Sequence, residues 1–155
     1  MIRTKRRVML CIWLIAFNVA FIWGNSLLPR EISSALSKLI GSLLRPFASG
    51  SLNPAEGEGQ GILRKIAHFT EFCTLGMLLT WFVCMVRTRK WEHTCLPLAV
   101  GILIAAADET IQLFVPGRGP QLRDVGIDAL GVLLGVLILT GIALRRNRKK
   151  LSAIN

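Results

Sequence analysis

The sequence lacks the cysteine patterns that build metal centres and disulfide frameworks. Its cysteines lie at positions 11, 73, 84 and 95, and none of them form a Cys-x-x-Cys pair of the kind that ligates metal ions. Isolated cysteines in apolar segments behave as small hydrophobic side chains. We therefore expect all of them to be unpaired hydrophobic residues.

Acidic residues are also scarce, with 9 Asp and Glu against 19 Lys and Arg and a formal net charge of +10. Such an excess can indicate nucleic-acid binding, but the basic residues are not interleaved with aromatic residues that would stack on bases. They stand instead in short clusters beside apolar runs, within residues 3–7, 87–90 and 145–150. Because cytoplasmic topology signals have this distribution, we expect no nucleic acid and take membrane lipids as the acidic partner.

A polar stretch long enough to fold as a separate soluble domain is missing. Hydrophobic residues make up 52% of the 155 residues, and a helix needs about 20 apolar residues to cross a bilayer. The apolar runs predict an all-α membrane protein, a bundle of four transmembrane helices at residues 8–28, 66–86, 96–115 and 125–144 within a single domain, residues 1–155. The first run is too long for a signal peptide and has no Ala-x-Ala cleavage site, so we interpret it as an anchor helix.

Residues 31–46, between the first two spans, predict a different kind of helix. Ile32, Leu36, Leu39 and Leu43 recur at helical spacing, with serines on the other side, which is typical of an amphipathic helix lying in the membrane surface. A structural cap over the bundle is the alternative. Most basic residues belong to the amino end, the second loop and the carboxyl end, so we expect both termini in the cytoplasm.

Ionisable residues cluster inside the predicted spans, where a central charge costs about 2.5–3.5 kcal/mol and needs a partner or a water-filled cavity. The second and fourth spans enter from the outer side and the third ends there, so their polar residues should share one level near the outer surface. The candidate site residues are Arg64, Lys65, His68, Glu71, Asp108, Glu109, Gln112, Arg118, Asp124 and Asp128. They form either an ion-pair network that holds the helices in register or a binding or catalytic site.

A metal ion is not expected at this cluster. His68 and Glu71 are three residues apart and share one helix face, and a divalent metal held by them and by aspartates is chemically possible. His-x-x-Glu without a second histidine is nevertheless a weak ligand signature, so we expect neither a metal nor another cofactor.

Small residues continue the acidic stripe of the fourth span. Asp124, Asp128, Gly131 and Gly135 fall within about 60° of one another at roughly 100° per residue. Glycines at this spacing let helix backbones approach closely. We therefore predict close helix packing directly below the polar cluster.

Three motifs follow one another along the chain. They are Arg64-Lys65-x-Ala67-His68-Phe69-x-Glu71-Phe72, Asp108-Glu109-x-x-Gln112-x-Phe114-x-Pro116-Gly117-Arg118, and Asp124-Val125-x-x-Asp128-x-x-Gly131. Together they resemble the signature of the VanZ-like family. The resemblance implies a small bacterial multi-pass protein of the cytoplasmic membrane, and the family's namesake lowers susceptibility to teicoplanin-type glycopeptides. It implies no settled reaction.

Three kinds of function are compatible with these features. The first is an accessory membrane protein that binds a cell-envelope lipid, a lipid-linked precursor or a lipophilic glycopeptide at the outer leaflet, with the basic residues holding its anionic groups. The second is an enzyme acting on a lipid-linked phosphate or ester, with Glu71 or an aspartate as general base and His68 as its partner, although no nucleophile is recognisable. The third is a structural or proton-coupled membrane protein. The oligomeric state is left open.

Overall fold

The computed structural model describes residues 2–44, 57–117 and 122–152, with side chains over 5–43, 61–117 and 123–145. Over these residues the chain forms five α-helices and no strand: α1 (Ile2–Ser26), α2 (Arg30–Leu44), α3 (Gly57–Val86), α4 (Glu92–Gln112) and α5 (Leu122–Ser152). Every helix except α2 contains an apolar segment able to cross a membrane, at Lys5–Ser26, Gly61–Val86, Glu92–Gln112 and Arg123–Arg145. The predicted all-α class with four such helices is confirmed. The direction in which they cross remains a prediction.

The helices begin and end at residues that differ from the predicted spans. α1 ends at Ser26, before the predicted end at residue 28, and Pro29 soon follows it. α3 already begins at Gly57 rather than near residue 66, so Arg64 and Lys65 lie well inside the helix. α4 ends at Gln112, before the predicted residue 115, because residues 113–117 turn and Gly117 adopts a φ of 77°. That left-handed backbone conformation suits glycine and cannot continue a helix.

The surface of the bundle is apolar and its core is small. Trp13, Phe17 and Phe114 are 70%, 72% and 83% exposed. The buried core consists of Ile22, Phe72, Leu75, Leu79, Ala105, Val132 and Val136. Soluble monomers rarely expose apolar surface on this scale, whereas a protein surrounded by lipid does so without penalty.

The closest helix pair is α3 and α5, which pack backbone to backbone. A Cβ atom placed on Gly131 would lie 2.6 Å from the backbone oxygen of Phe69, and one on Gly135 would overlap the backbone oxygen of Cys73. Glycine, which has no Cβ atom, therefore fits at both positions, and a residue with a Cβ atom would collide with the α3 backbone. The predicted close packing below the polar residues of α5 is confirmed.

The amphipathic helix α2 turns its polar face towards the bundle. Gly41 is buried and Ser37 is half-buried, and the Ser37 hydroxyl donates a hydrogen bond to the backbone oxygen of Ser33, 2.9 Å away. On the other side, Leu39 and Leu43 are 59% and 68% exposed. The described residues of α2 thus do not cap the bundle with their apolar face. A position in the membrane surface remains the prediction for this helix.

The α3–α5 contact predicts a position-specific effect of added methyl groups. Gly131→Ala and Gly135→Ala should each lower the stability of the folded protein by about 1–3 kcal/mol, because the backbones must separate to admit the methyl group. Gly141→Ala, on the same helix with nothing within 4 Å of the added Cβ, is the matched control and should leave the unfolding temperature in detergent unchanged or raised. Equal unfolding temperatures for all of these variants would contradict the proposed contact.

The orientation predicts which cysteines a membrane-impermeant maleimide can reach. Cys95 is exposed near the start of α4, on the side expected to be cytoplasmic, so it should be labelled only after the cells are permeabilised. Leu27→Cys in a Cys95→Ser background provides the opposite case, since Leu27 is 60% exposed between α1 and α2, and it should be labelled in intact cells. The Cys95→Ser protein supplies the background. The reverse pattern would place both termini outside.

Candidate functional site

A narrow cleft at one end of the bundle collects most of the predicted site residues. The space inside it is about 10 Å³, which is roughly the room that one water molecule needs. Its walls consist of Arg64, Lys65 and His68 from α3, Gln112 from α4, and Asp124, Ile127 and Asp128 from α5. Polar side chains of these three helices therefore lie together, and their position near the outer membrane surface stays a prediction.

Asp108 lies behind the cleft and connects α4 with α1. Its side chain has no exposed surface. The Ser26 hydroxyl and the Gln112 amide nitrogen each donate a hydrogen bond of 2.8 Å to Oδ2 of Asp108. Asp108 and Gln112 are four residues apart, so both side chains lie on one face of α4. A buried carboxylate needs such donors, because it has lost its hydration.

Glu71 occupies a similar position on α3. The Asn25 side-chain amide donates a hydrogen bond of 2.8 Å to Glu71 Oε1. Glu71 Oε2 lies 3.9 Å from Nδ1 of His68, one helical turn earlier. His68 and Glu71 thus lie on one face of α3, as their spacing predicts, and Asn25 of α1 donates a hydrogen bond to the Glu71 carboxylate.

Asp128 is the most confined acid on the α5 wall, at 3% exposure. Its Oδ1, and Oδ1 of Asp124, are buried and have no hydrogen-bond partner among the described residues. The carboxylates of Asp108, Asp124, Glu109 and Glu71 are all near enough to repel its negative charge. Several acids are therefore gathered where solvent cannot separate them. Such a site attracts a proton, a metal ion or a basic side chain.

Two predicted residues, Glu109 and Arg118, have not yet been placed. Glu109 is buried beside Asp108 on α4, at 9% exposure. Arg118 lies outside the described residues, in the connection between α4 and α5. Arg64 and Lys65 are half-buried and line the cleft.

Sequence reasoning missed the contribution of α1. Asn25 and Ser26 contact Glu71 and Asp108, yet the polar pair reads in the sequence only as the end of an apolar run. The sequence does show that an amide and a hydroxyl side chain stand next to each other at the end of the first span, at the level expected for the acids. Which neighbouring helix they face depends on packing and is not encoded in the spacing.

The fold and the cluster together define a class: a multi-pass helical membrane protein with four apolar helices and with ionisable side chains buried between them near one end. The sequence matches the VanZ/LLP1 family over residues 7–144. The chain belongs to the VanZ/LLP1 family, and the resemblance carried by its three motifs is confirmed. No curated protein and no solved structure matches it.

The hydrogen bond from α1 to Asp108 predicts a stability effect at Ser26. Ser26→Ala removes one of the donors to a fully buried carboxylate, and an unsatisfied buried polar group costs about 1–3 kcal/mol. The unfolding temperature in detergent, followed by circular dichroism, should therefore fall. Ser42→Ala is the control, because the exposed Ser42 hydroxyl bonds only to the backbone oxygen of Leu39. If both variants unfold at the same temperature, the contact with Asp108 does not stabilise the bundle.

Proposed function

We propose that this VanZ/LLP1 protein binds the anionic head group of a cell-envelope lipid, a lipid-linked precursor or a lipophilic glycopeptide at the outer leaflet. The single observation that carries the proposal is the position of Arg64 and Lys65 on the wall of the polar cleft. Two adjacent cations beside buried hydrogen-bonding groups match a phosphate or carboxylate ligand, to which arginine can donate two parallel hydrogen bonds.

The size of the cleft restricts what can enter it. About 10 Å³ of free space holds a water molecule or an ion and excludes a whole lipid head group. The anionic group would therefore bind outside the narrow part of the cleft, against Arg64 and Lys65. The rest of the ligand would lie outside the cleft.

A larger groove beside α2 offers room for that remainder. It has a volume of about 620 Å³, within the range of roughly 300–1,000 Å³ found for small-molecule sites. Arg30 and Lys38 contribute two positive charges against the one negative charge of Glu31, and Pro116 and Gly117 form the opposite wall. The exposed apolar face of α2 would accompany the acyl chains of the ligand in the membrane surface.

The proposal extends to glycopeptide susceptibility. The family's namesake lowers susceptibility to teicoplanin-type glycopeptides, and we infer that this chain acts on the same drugs. A protein that holds an envelope lipid or a lipophilic glycopeptide at the outer leaflet would change the encounter between drug and target. We place the protein in the bacterial cytoplasmic membrane, with the cleft facing outwards.

A second candidate function is an enzyme acting on a lipid-linked phosphate or ester. The observation that favours it is the pair of His68 and Glu71, with 3.9 Å between Nδ1 and Oε2, next to the cations of the cleft. An imidazole oriented by a carboxylate can transfer a proton to or from a reacting group. Turnover of envelope lipids by the purified protein would favour this function over binding alone.

Lipid binding should depend on one Arg-Lys pair and not on another. Native mass spectrometry of the purified protein with added phosphatidylglycerol should show binding weakened at least about tenfold by Arg64→Gln/Lys65→Gln, a change of about 1.4 kcal/mol. The control is Arg89→Gln/Lys90→Gln, the same dipeptide in the connection between α3 and α4. Phosphatidylcholine reports charge-independent binding. Equal losses in both double variants would overturn the proposed site.

The same variants connect the site with susceptibility. In a glycopeptide-sensitive host, wild type should raise the teicoplanin concentration needed to stop growth, whereas His68→Ala, Glu71→Gln and Asp124→Asn should not, at matched protein levels in the membrane. If all three variants protect the host as well as wild type does, the polar cluster takes no part in lowering teicoplanin susceptibility. Absence of protection by wild type would remove the susceptibility part of the proposal.

A further inference from the structure

Three side chains from three helices place potential metal-binding atoms close together. A ring nitrogen of His68, a carboxylate oxygen of Asp108 and a carboxylate oxygen of Asp128 all lie within 4.8 Å of one another. In a tetrahedral site with bonds of about 2.0–2.2 Å, the ligand atoms are about 3.3–3.6 Å apart. The limit of 4.8 Å exceeds this spacing by about 1.2–1.5 Å, so side-chain rotations would bring the three atoms together around a bound ion.

The surroundings of Asp128 point independently to a cation. The residue is only 3% exposed, and its Oδ1 has no hydrogen-bond partner within the described parts of the chain. The cleft that it lines contains about 10 Å³ of free space, which is enough for an ion and too little for an organic ligand.

Neighbouring groups hold one of the three side chains in the way that metal ligands are held. The Ser26 hydroxyl and the Gln112 amide donate hydrogen bonds to Oδ2 of Asp108. Hydrogen-bond donors behind a ligating carboxylate are usual in metal sites, where they fix its orientation. Glu71 places a further carboxylate 3.9 Å from Nδ1 of His68.

We propose that His68, Asp108 and Asp128 bind one divalent transition-metal cation. An imidazole with two carboxylates is a mixed nitrogen and oxygen set that suits Zn²⁺ or Mn²⁺, whereas Mg²⁺ and Ca²⁺ prefer oxygen ligands alone. From the sequence we expected no metal here, because His-x-x-Glu without a second histidine is a weak ligand signature. The proposal does not rest on lipid binding.

Three protein ligands leave coordination positions open, as in catalytic metal sites. Arg64 and Lys65 stand on the wall of the same cleft. An anion at its mouth would therefore meet two basic side chains and, on this proposal, the cation. The site thus resembles in composition those that bind phosphate through a metal and basic residues together.

Metal content of the full-length protein in detergent tests the proposal directly. After chelator treatment, the protein is incubated separately with Zn²⁺, Mn²⁺, Mg²⁺ and Ca²⁺, desalted, and analysed by mass spectrometry of the elements and by titration calorimetry. Wild type should retain about one Zn²⁺ or Mn²⁺ per chain. His68→Gln and Asp128→Asn, which remove one ligand each with little change in shape, should bind at least tenfold more weakly.

Glu92→Gln is the matched control, since it removes one acid from the other end of α4 and should bind metal as wild type does. Absence of tight binding to wild type in the Zn²⁺ and Mn²⁺ arms, or equal weakening in Glu92→Gln, would overturn the proposal. So would undiminished binding by folded His68→Gln and Asp128→Asn. Circular dichroism and gel filtration establish folding for each variant.

A measurement on wild type alone covers the case in which both ligand variants fail to fold. Co²⁺ bound by nitrogen and carboxylate ligands absorbs visible light differently from hydrated Co²⁺, and a bound ion should also raise the unfolding temperature. A hydrated-ion spectrum without thermal stabilisation would exclude the site. Because no lipid is added, the outcome is separate from that of the phosphatidylglycerol experiment, and either proposal can fail alone.

Discussion

The close contact between the backbones of α3 and α5 is the constraint on which the polar cluster depends. Gly131 and Gly135 allow α5 to approach the backbone oxygens of α3 more closely than any side chain would permit. One turn above, the same face of α5 carries Asp128, so the approach that the glycines allow also brings this acid to His68. Packing and site geometry are therefore two consequences of one helix stripe.

Gathering acids between membrane helices has a cost that the rest of the structure must offset. An ionised side chain in a span costs about 2.5–3.5 kcal/mol by insertion scales, and neighbouring carboxylates repel one another as well. Donors from α1 stabilise Asp108 and Glu71, while Asp128 faces the narrow cleft. A cation bound between His68 and the two aspartates would offset this cost, and an anionic lipid would then complement the basic side chains at the mouth.

The exposed surface of the bundle suits lipid and not water, and α2 shows this most clearly. This helix packs serine and glycine against the other helices and leaves leucines exposed, the inverse of what water would select. In lipid the arrangement is reasonable, because small polar residues let helices pack closely and apolar residues meet acyl chains. The groove between α2 and the turn after α4 is where the proposed ligand would extend.

The sequence by itself determined the class of the protein, its apolar helices and the level at which its ionisable residues meet. These follow from run length, from the alternating direction of successive spans and from helical spacing. Tertiary structure decided which faces turn towards each other. It brought Asn25 and Ser26 into the cluster, placed Asp108 and Asp128 beside His68, and pointed the polar side of α2 inwards. Periodicity in the sequence defines the faces of each helix. The rotation of one helix relative to its neighbours is set by packing instead, for example by the contact of the α5 glycines with the backbone of α3.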